Sequence, residues 1–315
     1  KGEQATWTAF DNSKPSANLT VTSGHYYLTA NASRTRLLSI NAGIDYVIDT
    51  NGKTLTVTGY KFANLYGTLS IMDAIGGGCI TGTGHPIANG GVIMGTATGV
   101  FNMYSGTLSR TVKSGEEDKT VLDGGILHAP AGSVTNIYGG IIRDGIAAKS
   151  YKSSPVEPCG GNIYSAGTFN MEGGVLYGGK AKSTQGYIND SAGTVVSTDK
   201  SYYGRGGNLY ATGTAAISGG HIIGGSASYG GNVYTTTNLA ITGGVIRDGV
   251  VNDALNSNDW GGNVYYTGVK NATIENAIIR GGKTPNLGGN INLYNSTLTV
   301  TDSLIAEGTA GIDKS

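Results

Sequence analysis

The amino-acid sequence predicts an all-β fold, a single right-handed parallel β-helix with three short strands in each coil. Three observations predict this fold. A Gly-Gly-Asn motif recurs, short apolar segments bounded by glycine recur between the motifs, and these segments align into apolar columns. A repeat unit this short cannot bury a core by itself, so neighbouring units must stack. The Gly-Gly-Asn motifs begin at Gly160, Gly206, Gly230, Gly261 and Gly288.

Each unit contains three short apolar segments, which have the length of strands rather than helices. In the unit that begins at Gly206, these segments are 209–210, 215–217 and 221–223. Three strands in a unit of about 24 residues are typical of a right-handed parallel β-helix. The sequence then predicts about eight or nine coils over residues 24–315, with residues 1–23 as a cap on the first coil.

Two apolar columns predict the inward face of the coils. The middle residue of the third strand forms the column Ile80, Leu108, Ile142, Leu176, Ile222, Ile246, Ile279 and Ile305. The second strand supplies the column Ile71, Met103, Ile137, Met171, Ile217, Ile241, Ile274 and Val300. We therefore expect a core made of stacked rows of like residues along the solenoid.

An asparagine column marks one corner of the coil. It contains Asn64, Asn162, Asn208, Asn232, Asn263 and Asn290, and all but the first follow a glycine pair. Asparagine tolerates the left-handed backbone of a corner, and stacked amides can hydrogen-bond to one another. A structural role is therefore expected for this column, with a ligand role as the alternative.

Composition and charge argue against several classes of partner. The formal net charge is +0 and 13% of the residues are charged, which argues against nucleic acid. No apolar stretch reaches the roughly 20 residues that a bilayer requires, so no membrane insertion is expected. The neutral charge, the two cysteines and the abundance of Gly, Thr, Asn and Tyr favour an extracellular or cell-surface protein.

The sequence predicts neither a metal site nor another cofactor. The histidines belong to different units and show no metal-ligand spacing: His25, His85, His128 and His221. Cys79 and Cys159 belong to units two coils apart, about 10 Å along the solenoid. That separation is too large for a disulfide unless a loop folds back.

The length of the unit varies at one place, after the third strand and before the next Gly-Gly pair. Loops at one corner of a solenoid usually mark its functional face. The extra segments are approximately 110–123, 146–159, 180–205, 226–229, 250–260 and 283–287. Because 226–229 is short and lies between longer segments, we expect a notch there with Tyr229 on its floor.

The expected notch combines carboxylates with aromatic side chains. One wall would carry Tyr187, Asp190, Asp199, Tyr202 and Tyr203. The other would carry Asp253, Asp259 and Trp260, with Asp248 at the strand end. Aromatic faces pack on sugar rings, and a pair of carboxyl groups serves as acid and nucleophile or base in glycoside hydrolysis. Three interpretations stay open: catalysis on a sugar, sugar binding without chemistry, and ordinary turn-forming aspartates.

Two further columns are expected to point away from the core. The first contains Tyr66, Tyr164, Tyr210, Tyr234 and Tyr265, with Met94 and His128 in the same register. It could stabilise neighbouring strands or serve as a ligand platform. The second contains Arg143, Arg247 and Arg280. The last two come from adjacent coils and repel each other unless Asp248 or Glu307 intervenes; the functional alternative is a site for an acidic sugar.

Three segments, IDTNGKTL at 48–55, GTLSIMD at 67–73 and GGCITG at 77–82, occur together with the Gly-Gly-Asn units. In these features the chain resembles glycine-rich right-handed parallel β-helix repeat proteins of bacterial cell surfaces, over most of its length. The Gly-Gly-Asn coils also resemble those of lacto-N-biosidase-type β-helix glycosidases, which cleave host glycans with two aspartates near the corner loops. This second resemblance implies Asp253 and Asp259 as the catalytic pair.

Two classes of function remain open from the sequence. The first is a protein that engages complex carbohydrate through the corner loops around 180–260 and, if it is an enzyme, hydrolyses host or plant glycans. Its substrate-binding residues would be Tyr187, Asp190, Asp199, Tyr202, Tyr203, Tyr229, Arg247, Asp248, Trp260 and Arg280. The second is a non-catalytic adhesin, spacer or fibre-forming protein that associates end to end or carries further domains.

Overall fold

The computed structural model describes residues 5–59, 61–83, 90–111, 123–148, 157–182, 184–189, 195–251 and 260–311. In these residues, 39 short strands form four parallel sheets and one antiparallel pair, and no helix occurs. The described part of the chain accordingly offers no helix that could span a membrane. The predicted all-β architecture of stacked parallel strands is confirmed.

The strands are numbered in chain order, and the sheets in the order in which one unit passes through them. Sheet I consists of β2 (Leu19–Thr20), β5 (Leu38–Ile40), β8 (Ala63–Leu65), β11 (Ile93–Gly95), β14 (Leu127–Ala129), β18 (Ile163–Ser165), β24 (Leu209–Ala211), β28 (Val233–Thr235), β32 (Val264–Thr267) and β36 (Ile291–Tyr294). Sheet II consists of β1 (Trp7–Ala9), β3 (Gly24–Tyr27), β6 (Asp45–Asp49), β9 (Thr68–Met72), β12 (Val100–Met103), β15 (Val134–Ile137), β19 (Thr168–Met171), β25 (Ala215–Ile217), β29 (Ala240–Ile241), β33 (Ala272–Glu275) and β37 (Leu298–Thr301).

Two more parallel sheets complete the coils. Sheet III consists of β4 (Ala32–Arg34), β7 (Thr54–Val57), β10 (Cys79–Gly82), β13 (Thr107–Arg110), β16 (Ile141–Arg143), β20 (Val175–Tyr177), β26 (His221–Ile223), β30 (Val245–Arg247), β34 (Ile278–Arg280) and β38 (Leu304–Ala306). Sheet IV consists of β17 (Ile146–Ala148), β21 (Lys180–Lys182), β27 (Ser226–Ala227), β31 (Val250–Val251), β35 (Lys283–Thr284) and β39 (Thr309–Ala310). The antiparallel pair is β22 (Thr184–Asn189) with β23 (Val195–Tyr202).

The register of the sheets stacks equivalent residues of successive units. Every step of the predicted third-strand column, from Ile80 to Ile305, is found as a parallel pair in sheet III. The second column, from Ile71 to Val300, is confirmed in sheet II in the same way. Both columns are buried except at Ile305 and Val300, which are 42% and 43% exposed.

Sheet IV is a feature that the sequence analysis missed. It is built from the first residues of the segments interpreted as corner loops, such as Ser226–Ala227 at the start of 226–229. From Ile146 onward each unit contributes a fourth strand, whereas the units described before it contribute three. The strands of sheet IV are only two or three residues long, which is too short for an apolar alternation to mark them in the sequence.

One inner column changes its chemistry where sheet IV begins. When the preceding unit has three strands, the column residue is apolar and buried: Phe62, Val92 and Ile126. When the preceding unit has four strands, the column residue is asparagine: Asn162, Asn208, Asn232, Asn263 and Asn290. The prediction that Asn64 belongs to this column is wrong, because Asn64 pairs with Met94 in the adjacent outer column. Tyr66, assigned to that outer column, consequently falls outside it.

The asparagines satisfy backbone groups that face the corner between sheets III and IV. In Asn232, Oδ1 accepts a hydrogen bond from the Gly225 N–H and Nδ2 donates to the Arg247 carbonyl, both at 2.8 Å. The same amide accepts from Nδ2 of Asn208 and donates to Oδ1 of Asn263, both at 2.7 Å. The pattern repeats along the column, so a continuous row of amides lines this corner.

Near the N-terminal end of the sheets, Arg34 contacts residues 10–17. Its guanidinium donates to Asn12 Oδ1 (3.1 Å) and to the Ala17 carbonyl (2.9 Å), and it lies 6.0 Å over the ring centroid of Phe10. Strands β1 and β2 of the same region begin sheets II and I. The boundary of a separate cap at residue 23 stays a prediction.

Candidate functional site

The residues predicted for the site are not all described by the structure. Three of them lie outside the described residues: Asp190, Asp253 and Asp259. Three others lie on the antiparallel pair of β22 and β23, where only the backbone is described: Tyr187, Asp199 and Tyr202. The remaining six belong to two groups at different corners of the coil.

The first group is aromatic and lies where a coil passes from sheet IV to sheet I. Tyr229 lies between Tyr203 and Trp260, with ring centroids 5.9 Å and 6.0 Å away in edge-on contacts. Its ring is also 5.5 Å from that of Tyr265. The structure therefore brings three of the predicted side chains together, with Tyr229 in the middle.

A row of isolated parallel β-bridges positions these side chains. This bridge row runs along the solenoid just before each Gly-Gly pair and contains Asp123, Cys159, Arg205, Tyr229, Trp260 and Leu287. The glycine after each member is left-handed, for example Gly230 with φ of 63°. A Cβ at Gly230 would lie 2.1 Å from the Val233 carbonyl oxygen, so the turn into sheet I requires glycine.

Beside the bridge row, the outer column of sheet I forms a stack of rings. Successive centroid distances are 4.8, 5.4, 5.1 and 5.2 Å along the series His128, Tyr164, Tyr210, Tyr234 and Tyr265. Trp260 continues this aromatic stack, with its ring 6.0 Å from Tyr265 and 6.0 Å from Tyr294. The spacing follows the distance between strands of a sheet, so each coil adds one ring.

The tyrosine column points away from the core, as predicted, and most of its rings are nevertheless buried. Tyr210, Tyr234 and Tyr265 are at most 9% exposed, and with Cys159 they form a second buried cluster outside the main core. The column does point away from the core, but the bridge row packs against it. Packing against the bridge row therefore buries these three tyrosines although they lie outside the main core.

A cavity of about 210 Å³ lies beside the bridge row near Trp260. Five aromatic side chains, one threonine and two charged side chains line it: Tyr229, Tyr234, Trp260, Tyr265, Tyr294, Thr267, Glu157 and Arg205. The sequence analysis placed Tyr229 and Trp260 at the site and did not include the charged pair. This aromatic cavity is the candidate site.

The two charged side chains of the aromatic cavity form an ion pair between the Glu157 carboxylate and Arg205 Nη2. The guanidinium also lies 5.3 Å over the ring centroid of Tyr234, in a favourable cation–π arrangement. Burial lowers the pKa of Arg205, but the neighbouring Tyr234 and Glu157 outweigh this effect, so the pKa is raised. Arg205 therefore keeps its charge and is held by contacts on two sides.

Two ionisable groups lie at the start of the bridge row, the half-buried Asp123 and the buried Cys159. Burial raises the pKa of Asp123 to about 7, although its carboxylate accepts a hydrogen bond from the Cys159 N–H at 3.2 Å. Burial also raises the pKa of the Cys159 thiol, which donates to the Glu157 carbonyl at 3.3 Å. Cys79 and Cys159 are both free. Neither Asp123 nor Cys159 lines the cavity.

The second group of predicted residues lies at the end of sheet III. Arg247 Nη1 is 2.5 Å from Asp248 Oδ2, and Arg280 Nη1 is 3.6 Å from Glu307 Oε2. The carboxylates thus neutralise the two stacked arginines, as the sequence analysis allowed. These residues do not line the aromatic cavity, so the predicted single site is divided between two corners.

The chain matches no protein-family model, no curated protein and no solved structure. Among the residues that the structure describes, no cluster of three or more His, Cys, Asp or Glu side chains could hold a metal ion. The function must therefore be argued from the chemistry of the aromatic cavity itself.

Sequence reasoning missed Glu157, Arg205 and Tyr294. A signal existed for Arg205, which precedes Gly206 as Tyr229 precedes Gly230 and so occupies the same position in the repeat. Glu157 and Tyr294 stand at positions that no motif marks, and the fold alone brings them to the cavity.

Proposed function

We propose that this chain is an extracellular or cell-surface protein that binds complex carbohydrate in the aromatic cavity. The observation that carries this proposal is the meeting of five aromatic rings with one charged pair in a small open space. Sugar rings have apolar faces that pack on aromatic rings and hydroxyl edges that need polar partners. The rings of Trp260 and Tyr294 would supply the first, and Glu157 with Arg205 the second.

The proposal includes the finer architecture, a single right-handed parallel β-helix. Its support is the unbroken register of sheets I to III and the right-handedness of nearly all parallel crossover connections. The units from Ile146 onward would then be four-sided coils of the same solenoid. The bridge row and the aromatic stack would follow one edge of it, which suits a polymeric ligand lying along the axis.

Binding is tested by a glycan array and by calorimetry on Trp260→Ala. Removing a central aromatic ring should weaken binding at least about tenfold. The matched control is Tyr104→Ala, because Tyr104 is 49% exposed and does not line the cavity. Equal affinity of Trp260→Ala and the unaltered protein for the bound glycan would exclude the aromatic cavity as the site.

A second candidate function is glycoside hydrolysis by Asp253 and Asp259. One observation favours it: Asp259 directly precedes Trp260, which lines the aromatic cavity. Two carboxyl groups that flank a glycosidic bond can act as acid and nucleophile or base. The pair would then lie in the segment that leads into the sugar site.

Hydrolysis is tested by mass spectrometry of products after incubation with mucin, milk and plant oligosaccharides. If the enzyme hypothesis holds, the protein releases sugar, and Asp253→Asn or Asp259→Asn abolishes release while thermal unfolding is unchanged. Asp302→Asn, at an exposed turn before β38, is the matched control. Absence of release from every substrate, with binding retained, would leave a non-catalytic carbohydrate-binding protein.

A further inference from the structure

We propose that the Glu157–Arg205 pair makes the aromatic cavity select an uncharged sugar ring with adjacent hydroxyl groups over the corresponding sugar acid. This inference rests on the proposed carbohydrate binding and goes further, because it names the class of sugar. It also assigns a specificity-determining role to two residues that no sequence motif marks.

The first step is the charge of the cavity. Among its eight described lining residues, Glu157 and Arg205 are the charged ones, and they are in direct contact. Their side chains are 28% and 29% exposed, so both still reach solvent and a ligand. The positive charge of Arg205 is therefore already balanced by Glu157, and the described lining of the cavity has no unpaired cation for an anionic ligand.

The second step is the rigidity of the pair. The guanidinium of Arg205 is held between the Glu157 carboxylate and the ring of Tyr234. The backbone of Glu157 has a contact of its own, since its carbonyl accepts a hydrogen bond from the Cys159 thiol at 3.3 Å. A ligand thus meets a preformed donor and acceptor side by side, and it binds without separating them.

The third step is the match to sugar chemistry. Of two adjacent hydroxyls, one can donate to the Glu157 carboxylate while the other accepts from the Arg205 guanidinium. A uronate keeps the ring hydroxyls of the neutral sugar and differs at C6, so the selection acts when C6 meets the charged pair. The C6 carboxylate has no proton to donate to Glu157 at neutral pH. It would have to displace Glu157 from Arg205 and would be repelled by the displaced carboxylate.

The fourth step is size. The cavity volume of about 210 Å³ lies below the range of roughly 300–1,000 Å³ that is usual for drug-sized ligands. One sugar ring is the appropriate occupant, so the selection acts on a single residue of a glycan. A ring stacked beside Trp260 would present its hydroxyl edge to the charged pair.

The test compares neutral and acidic members of matched pairs in calorimetry or ligand-observed NMR. The probes are the methyl glycosides of glucose and galactose and those of glucuronate and galacturonate. We expect the unaltered protein to bind the neutral member of at least one pair at least tenfold more tightly. In Glu157→Gln, Arg205 loses its anionic partner, so affinity for the acid should rise at least tenfold and the preference should disappear or reverse.

Two controls separate this selectivity from general effects. Glu172→Gln makes the same change of charge at an exposed position on the turn after β19, and it should leave the preference unchanged. Glu157→Ala should also raise affinity for the acid, which would show that the effect comes from loss of the carboxylate and not from the particular replacement. Circular dichroism and thermal unfolding verify that each variant is folded.

The outcomes distinguish this inference from the function on which it rests. If the unaltered protein binds acids as tightly as neutral sugars, or if Glu157→Gln leaves the ratio unchanged, the selectivity is refuted and carbohydrate binding stands. If the folded protein binds none of the probes and no glycan on an array, the proposed function is refuted together with the selectivity.

Discussion

The units before Ile146 and the units after it fill the same inner column with different side chains. In the first region the inner column is apolar and consists of Phe62, Val92 and Ile126. In the second region, where sheet IV adds a side, the same column consists of asparagines joined in a row. An added side turns backbone N–H and C=O groups toward the interior, and buried polar groups need partners.

Arg110 stands at the boundary between the two regions. It ends β13, and its Nη1 donates to the carbonyl of Ile146, the first residue of sheet IV, at 2.6 Å. Burial lowers the pKa of Arg110 to about 10, since a charge is costly in this environment. The long side chain of Arg110 thus supplies a hydrogen-bond donor where the fourth strand first appears, before the asparagine row begins.

The difference between the regions also bears on function. The bridge row, which carries Tyr229, Trp260 and Arg205, begins at Asp123, close to where the fourth side begins. Tyr229 and Trp260 of the bridge row pack against the aromatic stack, and the cavity lies beside them. The units that contribute the fourth strand therefore contain both the candidate binding site and the asparagine row.

The largest effect should come from Asn232→Leu, which removes an amide from the asparagine row. The change leaves the Gly225 N–H, the Arg247 carbonyl and two neighbouring amides without their partners. At about 1–3 kcal/mol for each buried unpaired group, the free energy of unfolding should fall by at least about 4 kcal/mol. Urea unfolding followed by circular dichroism measures it.

The control for this prediction is Asn136→Leu. Asn136 also belongs to a row of amides, donating to Asn102 and accepting from Asn170 at 2.9 Å, but this row lies half-buried on the outside of sheet II. Water can replace its partners, so the loss should stay below about 1 kcal/mol. Similar losses in both variants would contradict the assignment of the buried row to the fourth side.

The next effect concerns the pH dependence caused by Asp123. Its pKa is raised to about 7 in the folded chain and is near 3.8 when unfolded. Between these values the folded state keeps a proton that the unfolded state has lost, so this group makes the free energy of unfolding fall as pH rises. The full effect is roughly 4 kcal/mol above pH 7, from about 1.4 kcal/mol per unit.

Unfolding of Asp123→Asn and of the unaltered protein should therefore be compared from pH 4 to pH 8. Asparagine keeps an acceptor for the Cys159 N–H and does not titrate, so the variant should gain stability relative to the unaltered protein across this range. Burial lowers the pKa of His128 to about 4, which gives the opposite slope between about pH 4 and 6.5, but this contribution cancels in the difference. A constant difference at all pH values would show that the pKa of Asp123 is not raised in the folded chain.

The reverse exchange, Val92→Asn, sharpens the comparison from the other region. Val92 is fully buried in the apolar part of the column and lies beside Ile126. The unit there has three strands, and the neighbouring column residues are apolar, so the new amide would lack hydrogen-bond partners. The free energy of unfolding should therefore fall by about 2–4 kcal/mol. An unchanged urea midpoint would show that the corner accepts amides irrespective of sheet IV.

The smallest effect is expected from Arg247→Ala at the outer face of the four-sided region. Arg247 is paired with Asp248, and their side chains are 36% and 49% exposed. Exposed ion pairs contribute about 0–1 kcal/mol, so the variant should lose less than about 1 kcal/mol and the loss should shrink in high salt. A loss comparable to that of Asn232→Leu would contradict the conclusion that the buried asparagine row, and not the exposed ion pair, stabilises this corner.

The sequence predicted the sheets and columns well because long rows of like residues are their direct signature. The prediction failed where the residue type of the inner column changes from apolar to asparagine along the chain. Asn64-Leu65-Tyr66 has the same residues as a Gly-Gly-Asn unit, but Phe62 occupies the inner position, since no fourth side calls for an amide there. Short polar strands such as Lys283–Thr284 carry no periodicity that could reveal sheet IV.

The candidate site could be predicted in part for a similar reason. The variation in unit length located the corner and the pair Tyr229 and Trp260, because loops mark the functional face of solenoids. The pairing of Glu157 with Arg205 joins residues of different coils, and only the stacking register brings them together. Burial of the tyrosine column depends on the bridge row, which the alternation of apolar residues does not show.

The most direct test uses tryptophan fluorescence, because the chain has two tryptophans and they lie in the two regions. Trp260 lines the aromatic cavity, whereas Trp7 is on β1 near the N-terminal end. In Trp7→Phe, titration with neutral oligosaccharides should change the Trp260 emission along a saturable curve, and Trp260→Phe should show no change. An emission of Trp7→Phe that stays constant with every oligosaccharide, in a protein that is folded, would contradict carbohydrate binding at this site.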